Sequence, residues 1–433
     1  MTGQKKILVL GAYGFIGVEV CRRLRRDHDV RGLGRNPEQA TRVLPGVPFR
    51  VADLNDLVTP ADWVPVVQDI DVVVNCAGAL QEGGATDLTK LHATAIAALA
   101  EACATMGLRL IQISAAGARK EAATEFMRSK AVGDHAILDH LPEAHILRPG
   151  LVLGHSSFGG TRLLRMLAAV PVVQPVALGD SPIQSVSMDD LTGAVSAAIT
   201  DQLAPGIYDL VEADAQSLRD VLLATRAQLG FAAPRRVIQL PNWALSVTRR
   251  GADGLGRLGW RSPLRSTAIA VLADGVRGDP APYRQAMGKD LQSLAQILQD
   301  FPMRREHRLD ARMALFLPVA VALLSLFWLI SGVVGLWQLN TAAEVLVLVG
   351  WPAALAKISV VFWSLVDLAL AGLILWRPWA GRACLAMAGV ALFYLLAATV
   401  TAPGLWADPL GPLAKILPVL LASVATYWTL EER

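Results

Sequence analysis

Residues Ile7–Gly17 have the sequence ILVLGAYGFIG, in which an apolar run leads directly into three glycines spaced three residues apart. This pattern predicts a buried β-strand that turns sharply into a helix. Gly11 permits the tight turn, Gly14 lets backbone N–H groups approach a pyrophosphate, and Gly17 lets the helix pack closely on the sheet. The helix N-terminus then faces the phosphates. The stretch therefore predicts a dinucleotide site, with a plain glycine turn as the alternative. The residues between the glycines that we expect at the cofactor are Tyr13, Phe15 and Ile16.

Strand and helix patterns alternate after this motif. Further strands are predicted to end at Gly34, Asp53, Asn75 and Ser114. Such alternation predicts an α/β domain with a doubly wound parallel sheet. Ligands of these sheets bind beyond the carboxyl ends of the strands. We therefore expect four residues to converge on the cofactor: Arg35, Asp53, Asn75 and Ser114.

The end of the second strand carries a signal for cofactor specificity. An NAD-binding fold usually places an acidic residue there to bind the ribose 2′-hydroxyl, but here the strand runs into Gly34, Arg35 and Asn36. Arg35 can bind a 2′-phosphate through a planar pair of charge-assisted hydrogen bonds. The sequence therefore favours NADP(H) over NAD(H). The alternative is an arginine in a solvated loop.

Further motifs follow the glycine motif in a fixed order: Asp53-Leu54, Asn75-Cys76-Ala77-Gly78, Ser114, Ser129-Lys130 and Leu147-Arg148-Pro149-Gly150. Together they resemble the atypical and extended short-chain dehydrogenase/reductases, within the branch that includes the Rossmann-type accessory subunit of respiratory complex I. The resemblance covers about residues 5–230. It implies that Asp53 and Leu54 border the adenine and that Lys130 holds the nicotinamide ribose. It also implies that the segment with Asn75, Ala77 and Gly78 forms the wall beside the adenine ribose.

The position four residues before Lys130 departs from this family. The family's reactive motif is Tyr-x-x-x-Lys, in which the lysine lowers the pKa of a tyrosine that exchanges a proton with a carbonyl or alcohol. Phe126 stands at the tyrosine position and cannot donate a proton. Ser114 could still polarise a carbonyl, and Lys130 could still orient the ribose. Either hydride transfer uses an acceptor that needs no phenol, or the site binds the nucleotide without turnover.

Two other features of the first half concern the substrate and metals. The loop Gly154–Gly160, GHSSFGG, follows a predicted strand and could line a substrate pocket, with His155 either in the pocket or on the surface. The cysteines have no spacing typical of a zinc site or a disulfide framework, so we predict no metal and reduced thiols. They are Cys21, Cys76, Cys103 and Cys384.

The distribution of apolar residues predicts more than one domain. The chain has 433 residues, too many for one ordinary core, and charges almost vanish between residues 314 and 430. We predict a nucleotide-binding domain at 1–234, a connector at 235–312 and a membrane domain at 313–433. The connector carries fourteen Lys and Arg against seven acidic residues. This charge suits an anionic cytoplasmic leaflet better than nucleic acid, and a solvated helical face is the alternative.

The tail contains four apolar stretches long enough to cross a bilayer. They lie at about 314–337, 355–376, 383–402 and 412–430. Arginines precede the first stretch and lie between the second and third, which places both termini in the cytoplasm by the positive-inside rule. The first apolar run is too short for a cleavable signal peptide. We therefore predict a multi-pass protein of a bacterial-type inner membrane, with the nucleotide-binding domain cytoplasmic.

The segment Ala402–Lys415, APGLWADPLGPLAK, enters the last predicted span. With the four-span plan, it resembles the DoxX-like membrane proteins, whose relatives have been linked to quinone-coupled redox chemistry. Asp367 lies near the middle of the second span, where a carboxylate is unfavourable. It either serves a proton path or quinone contact, or makes a buried structural hydrogen bond.

Two functions are compatible with these features. The first is a membrane-anchored NADP(H)-dependent oxidoreductase that acts on a quinone or another apolar substrate in the bilayer. The second is a nucleotide-binding scaffold or redox sensor that has lost its chemistry, as Phe126 suggests. The sequence leaves open whether the chain forms homo-oligomers.

Overall fold

The computed structural model describes residues 3–79, 87–260 and 266–430. The chain forms two compact units. The first comprises Met1–Ala252 and Pro263–Arg308, and the second comprises Asp253–Ser262 and Leu309–Arg433. The basic stretch 235–312, which the sequence treats as one connector, is therefore divided between the two units.

A seven-stranded sheet is the centre of the first unit. The strands of this unit are β1 (Lys6–Leu10), β2 (Asp29–Gly34), β3 (Phe49–Val51), β4 (Val72–Asn75), β5 (Arg109–Ile113), β6 (His145–Pro149), β7 (Leu151–Leu153), β8 (Val173–Val176), β9 (Pro182–Ile183), β10 (Ser185–Ser187), β11 (Gly206–Leu210), β12 (Gln216–Ser217) and β13 (Arg236–Gln239). The sheet has the order β11-β6-β5-β4-β1-β2-β3, and every pair in it is parallel. The predicted doubly wound parallel sheet is confirmed.

Helices cover both faces of this sheet. The helices of the first unit are α1 (Phe15–Leu24), α2 (Pro37–Val43), α3 (Pro60–Val67), α4 (Ala95–Met106), α5 (Glu125–His140), α6 (Gly160–Ala168), α7 (Met188–Ile199), α8 (Leu218–Gln228), α9 (Asn242–Arg257, which continues into the second unit), α10 (Ser266–Asp274), α11 (Ala281–Met287) and α12 (Leu294–Asp300). A short 3₁₀ turn spans Leu54–Asp56, and a π-helical turn at Lys90–Thr94 leads into α4.

Strand β1 shows why its sequence is continuously apolar. Ile7 and Val9 belong to one buried cluster, whereas Leu8 and Leu10 belong to another. Because successive side chains of a strand point to opposite faces, a strand covered on both faces must be apolar at every position. This burial fixes β1 in the middle of the sheet and places the glycine motif at its carboxyl edge.

The ends of neighbouring strands lie side by side at this edge. Leu10 of β1 pairs with Leu33 of β2 and with Asn75 of β4, which in turn pairs with Gln112 of β5. Strand β3 ends at Val51, two residues before the predicted end, because Asp53 caps the 3₁₀ turn that follows. The polar residues that follow these strands are thereby gathered at one edge.

The second unit is helical. It contains α13 (Arg305–Trp337, which begins in the first unit), α14 (Leu339–Leu348), α15 (Ala353–Leu373), α16 (Arg377–Thr401), a 3₁₀ turn at Pro403–Trp406, and α17 (Ile416–Leu430). Within the described residues, α13, α15 and α16 are long and apolar enough to cross a membrane. These three helices correspond to the first three predicted spans.

The fourth predicted span differs from the structure. Helix α17 has 15 residues and begins at Ile416 rather than at 412, and a span needs roughly 20 residues. A helix that began at 412 would hold Pro418 in its interior, where the ring clashes with the carbonyl group four residues earlier, whereas in a helix that begins at Ile416 this proline lies in the first turn and is tolerated. Helix α14 is a short apolar helix that the sequence analysis did not predict.

Candidate functional site

The three glycines between β1 and α1 have no room for side chains. Gly11 has a φ of 67°, in the left-handed region, and a Cβ there would lie 2.8 Å from the Cα of Ala77. A Cβ on Gly14 would lie 3.0 Å from the Gly11 oxygen, and a Cβ on Gly17 would collide with that oxygen. The turn is therefore a concave surface of bare backbone, which fits the pyrophosphate of a dinucleotide.

Helix α1 begins at this turn with uncapped N–H groups. Gly14 is its N-cap, and no side chain makes a capping hydrogen bond there among the described residues. The first N–H groups of a helix have no partner within the helix and attract anions. Phe15 and Ile16 are partly buried against the core, so they anchor the start of the helix beneath the phosphate position.

Arg35 and Asp53 meet at the ends of β2 and β3. Arg35 Nη1 lies 3.4 Å from Asp53 Oδ2, and the Arg35 backbone N–H donates to Tyr13 Oη at 3.2 Å. The other oxygen of Asp53 accepts from the backbone N–H of Asn55. Leu54 is only 5% exposed and packs in the core. The predicted adenine end thus holds a cation beside a fixed carboxylate.

Asn75 shapes the opposite wall of the site. Its Nδ2 donates to Gln112 Oε1 at 2.8 Å, and its Oδ1 accepts from the Ala77 backbone N–H at 3.0 Å. A Cβ on Gly78 would lie 3.2 Å from Lys130 Nζ. The segment from Asn75 to Gly78 therefore joins the phosphate turn at one end and the buried lysine at the other.

Lys130 is the buried cation of the site. It is 5% exposed, and its Nζ donates to the backbone oxygen of Ile113 at 3.0 Å. Burial lowers the pKa of Lys130 to about 8, against the opposing effect of Asp134 and Cys76. The side chain is thus a fixed hydrogen-bond donor that is mostly protonated near neutral pH.

Ser114 belongs to a buried charged group. Its Oγ donates to Asp134 Oδ2 at 2.8 Å, and Arg148 Nε donates to the same oxygen at 2.9 Å. Asp134 is 1% exposed, so burial raises its pKa while Arg148 acts in the opposite direction. The hydroxyl hydrogen of Ser114 is therefore engaged by a carboxylate in this arrangement.

His92 is a residue of this site that the sequence analysis missed. It lies on the π-helical turn, and its ring packs edge-on against Phe126 with 5.6 Å between centroids. The Ala79 N–H donates to Nε2 at 3.2 Å, and Nδ1 lies 3.0 Å from Ser129 Oγ. Burial, aided by a nearby ammonium, lowers the pKa of His92 to about 2. The imidazole is thus neutral, with its proton on Nδ1.

The loop Gly154–Gly160 presents an aromatic side chain beside the phosphate turn. Phe158 is 64% exposed, and its ring stacks on Phe15 with 6.3 Å between centroids. Buried Arg165 donates to the backbone oxygen of His155 at 2.9 Å and so fixes the loop. The His155 ring is exposed and packs edge-on against Phe301. Phe158 rather than His155 is therefore the loop residue nearest the cofactor motif.

Comparison with known proteins agrees with this geometry. Residues 11–149 match the NAD(P)H-binding family, and residues 325–424 match the DoxX-like family. The chain is similar to dTDP-4-dehydrorhamnose reductase of Mycobacterium tuberculosis (strain ATCC 25618 / H37Rv), with 30% identity over 264 residues that cover 52% of this chain and 84% of that protein. It is also similar to ceramide reductase of Caulobacter vibrioides (strain NA1000 / CB15N), with 25% identity over 243 residues that cover 54% and 74% of the two chains.

Solved structures share the fold. An NADPH-dependent quinone oxidoreductase of Escherichia coli, complexed with NADPH, superposes with a TM-score of 0.51 at 18% identity, over 68% of this chain and 99% of that one. The Bordetella bronchiseptica enzyme WbmG in complex with NAD gives a TM-score of 0.51 at 17% identity, over 68% and 92%. The chain therefore belongs to the NAD(P)-binding proteins of the short-chain dehydrogenase/reductase type and carries a DoxX-like domain in its C-terminal part.

Proposed function

We propose that the protein is a membrane-anchored NAD(P)H-dependent oxidoreductase that passes reducing equivalents to an apolar acceptor, either a quinone or a carbonyl-bearing lipid. The observation that carries the proposal is a nucleotide cradle with a buried lysine in the same chain as three helices of membrane-spanning length. An apolar acceptor need not leave the bilayer to reach an enzyme that is anchored there.

The cofactor proposal rests on the groups at the strand ends. The bare turn and the free N–H groups of α1 bind the pyrophosphate, and Asp53 borders the adenine. Arg35 lies at the position of a 2′-phosphate, which favours NADP(H) over NAD(H). Because Arg35 already lies 3.4 Å from Asp53, the preference is expected to be smaller than a free arginine would give.

Two buried side chains serve the reacting end of the cofactor. A bound NAD(P)H supplies a hydride. Lys130, fixed by the Ile113 oxygen, donates to the ribose hydroxyls and keeps positive charge close to the nicotinamide. Ser114 polarises an acceptor oxygen only after its hydroxyl turns away from Asp134. The site therefore suits an acceptor that is reduced without a phenol proton donor, as a quinone is.

The wall near the phosphate turn supports an apolar acceptor. The exposed ring of Phe158 offers a surface for an alkyl chain or a flat ring. The hydrogen bond from Arg165 to the His155 oxygen fixes the loop that carries this ring. The names of two similar proteins, a ceramide reductase and a quinone oxidoreductase, point to the same classes of substrate. We place the first unit in the cytoplasm of a bacterial-type cell, because arginines lie at the start of α13 and at the start of α16. We place the C-terminus on the same side by counting α17 as a fourth, short crossing.

A second candidate is a nucleotide-binding scaffold or redox sensor. The observation that favours it is the set of neighbours around Phe126. The benzyl ring occupies the position of the acid, neutral His92 packs against it, and the Ser114 hydroxyl is held by a carboxylate. None of these three groups is a ready proton donor in this arrangement.

NADPH oxidation by the full-length protein in detergent separates the two candidates. The acceptors are a short-chain quinone and a long-chain ketone, and the variants are Lys130→Met and, as a matched control, Lys120→Met at an exposed position. If the protein is an oxidoreductase, NADPH is oxidised only when an acceptor is present. Lys130→Met should abolish this oxidation, and Lys120→Met should leave its rate unchanged. Tight NADPH binding without oxidation by either acceptor contradicts it and favours the scaffold.

A further inference from the structure

Helix α9 has an apolar stripe along one side. Trp243 and Val247, one helical turn apart, are 71% and 62% exposed. Because an α-helix has about 3.6 residues per turn, Gly251, Gly254 and Leu258 continue the same side. Leu258 is also exposed, and a Cβ on either glycine would meet nothing within 4 Å. Within the described residues, the stripe is thus left uncovered.

Basic side chains lie beside this stripe. Arg250 and Arg257 border it along one edge, two helical turns apart, and both are exposed. Arg249 lies on the other side of the helix, and α9 contains one acidic residue, Asp253. A helix with tryptophan and leucine on one side and arginines beside them is typical of helices that lie in the headgroup region of a membrane. Its net positive charge is complementary to anionic lipids.

The chain that follows α9 is fixed to the corner between α15 and α16. The Arg377 N–H donates to the Leu258 oxygen at 2.9 Å, and Trp260 Nε1 donates to the Leu375 oxygen at 2.6 Å. The Arg377 guanidinium lies 5.5 Å from the centre of the Trp260 ring. All four residues belong to the second unit. Helices α15 and α16 are both long and apolar enough to cross a membrane, so the corner that joins them lies at a membrane surface.

The same corner has the side chains that are typical of a membrane–water interface. Trp376 and Trp379 are exposed, and their rings stack with 6.1 Å between centroids. The Arg382 guanidinium lies 5.0 Å from the centre of the Trp379 ring. Tryptophan is enriched at the level of the lipid headgroups, and arginine is enriched on the cytoplasmic side. The end of the stripe at Leu258 is therefore at the level of the headgroups.

We propose that the apolar stripe of α9 binds the surface of the bilayer that the long helices cross, with Arg250 and Arg257 at the lipid phosphates. Helices of this kind bury their apolar side about 5–10 Å into the boundary between headgroups and acyl chains. The chain then has a membrane contact in addition to its crossing helices. The proposal goes beyond the proposed function, because this contact requires neither NAD(P)H nor turnover.

Fluorescent labels on single introduced cysteines test the proposal. The full-length protein is reconstituted at one copy per nanodisc of phosphatidylcholine and phosphatidylglycerol, with or without a lipid that carries a nitroxide quencher near the headgroup end of its acyl chain. Val247→Cys places an environment-sensitive label on the stripe, and Arg249→Cys places it on the other side of the same helix. Val64→Cys is the control, because Val64 is an exposed valine of α3. The wild type, treated in the same way, gives the background from its own cysteines.

We expect the label at position 247 to emit at shorter wavelength than the label at position 64 and to lose most of its emission to the nitroxide lipid. The label at position 249 should lose less, and the label at position 64 should lose none. If Val247→Cys does not fold, Gly254→Cys gives a second position on the stripe, where a side chain has open space.

Three results overturn the proposal. Equal emission and quenching at positions 247 and 64 mean that the stripe faces water. A shorter emission wavelength at position 247 without quenching means that protein covers the stripe. Quenching at position 247 that is no stronger than at position 249 means that the bilayer contacts another side of the helix.

Discussion

Replacing Arg35 with alanine should remove most of the preference for NADPH over NADH. Charge-assisted hydrogen bonds to a phosphate contribute about 1.5–3 kcal/mol. Arg35 already pairs with Asp53 at 3.4 Å, and the two side chains are 49% and 29% exposed. An exposed ion pair of this kind contributes about 0.2–1 kcal/mol. Arg35 loses this contribution when it turns from Asp53 to the 2′-phosphate, so it must be subtracted. The net preference is therefore about 0.5–2.8 kcal/mol, or about 2- to 100-fold in dissociation constant.

Calorimetric titration of the full-length protein with each cofactor measures this preference. Arg31→Ala is a matched control, because Arg31 lies earlier on the same strand and pairs with Asp29 at 3.4 Å. Arg35→Ala should weaken NADPH binding and leave NADH binding nearly unchanged, whereas Arg31→Ala should leave the ratio as it is. Asp53→Asn is not a clean probe, since Asp53 also borders the adenine. Equal affinities of the wild type for the two cofactors would refute the assignment of Arg35.

Three other predictions concern the missing acid, the buried histidine and the topology. Phe126→Tyr should leave NADPH affinity nearly unchanged and raise ketone reduction, because a general acid contributes about 10²- to 10⁴-fold. A wild type that already reduces ketones as fast as this variant would show that another residue supplies the proton. His92 has a pKa of about 2 when folded, against 6.5 for an unperturbed histidine. The unfolded chain therefore binds more protons than the folded chain between these pKa values, and lowering the pH from 6.5 to 5.0 should reduce the contribution of His92 to the free energy of unfolding by about 1.6 kcal/mol. Thermal melting at the two pH values should show a smaller loss for His92→Gln than for the wild type or the exposed control His140→Gln, and equal losses would contradict the assignment. Reporter fusions should place residues 378–381 and the C-terminus in the cytoplasm and residues 404–411 outside, whereas an external C-terminus would mean that Ile416–Leu430 does not cross the membrane.

The local chemistry of the phosphate turn could be predicted from the sequence. A strand, a positive φ at Gly11 and a close helix contact at Gly17 depend on a few neighbouring residues, and the structure has all of them. The pairing of Arg35 with Asp53 could not be predicted in the same way. It depends on β2 and β3 being adjacent in the sheet, although the two residues are eighteen positions apart in the chain.

The buried polar network around His92 and Asp134 is not predictable from the sequence for a similar reason. His92 stands in an alanine-rich helical pattern that indicates only an amphipathic or buried helix, and the π-helical turn that carries it has no sequence signal. Asp134 cannot be singled out from the sequence, because its two partners come from β6 and from the end of β5. The signal that could have indicated the network is the presence of two polar residues, His92 and Asp134, on helix faces that are otherwise apolar.

The boundary between the units also depends on tertiary contacts. The charge of residues 235–312 suggested a separate connector, but β13 pairs with β8, and Val276 bridges to Ile183. A net positive charge describes the surface of such a segment and does not determine which core its apolar residues join.

Hydride transfer from NADPH to an apolar acceptor is the central claim, and a single-turnover measurement tests it most directly. The full-length protein in detergent is loaded with one equivalent of NADPH, either unlabelled or deuterated at the transferred position, and is then mixed with decylubiquinone or a long-chain ketone. We predict that NADPH absorbance is lost only when an acceptor is present. The loss should be slower with the deuterated cofactor, because the transferred hydrogen is then deuterium. NADPH that stays bound and reduced with both acceptors would contradict it.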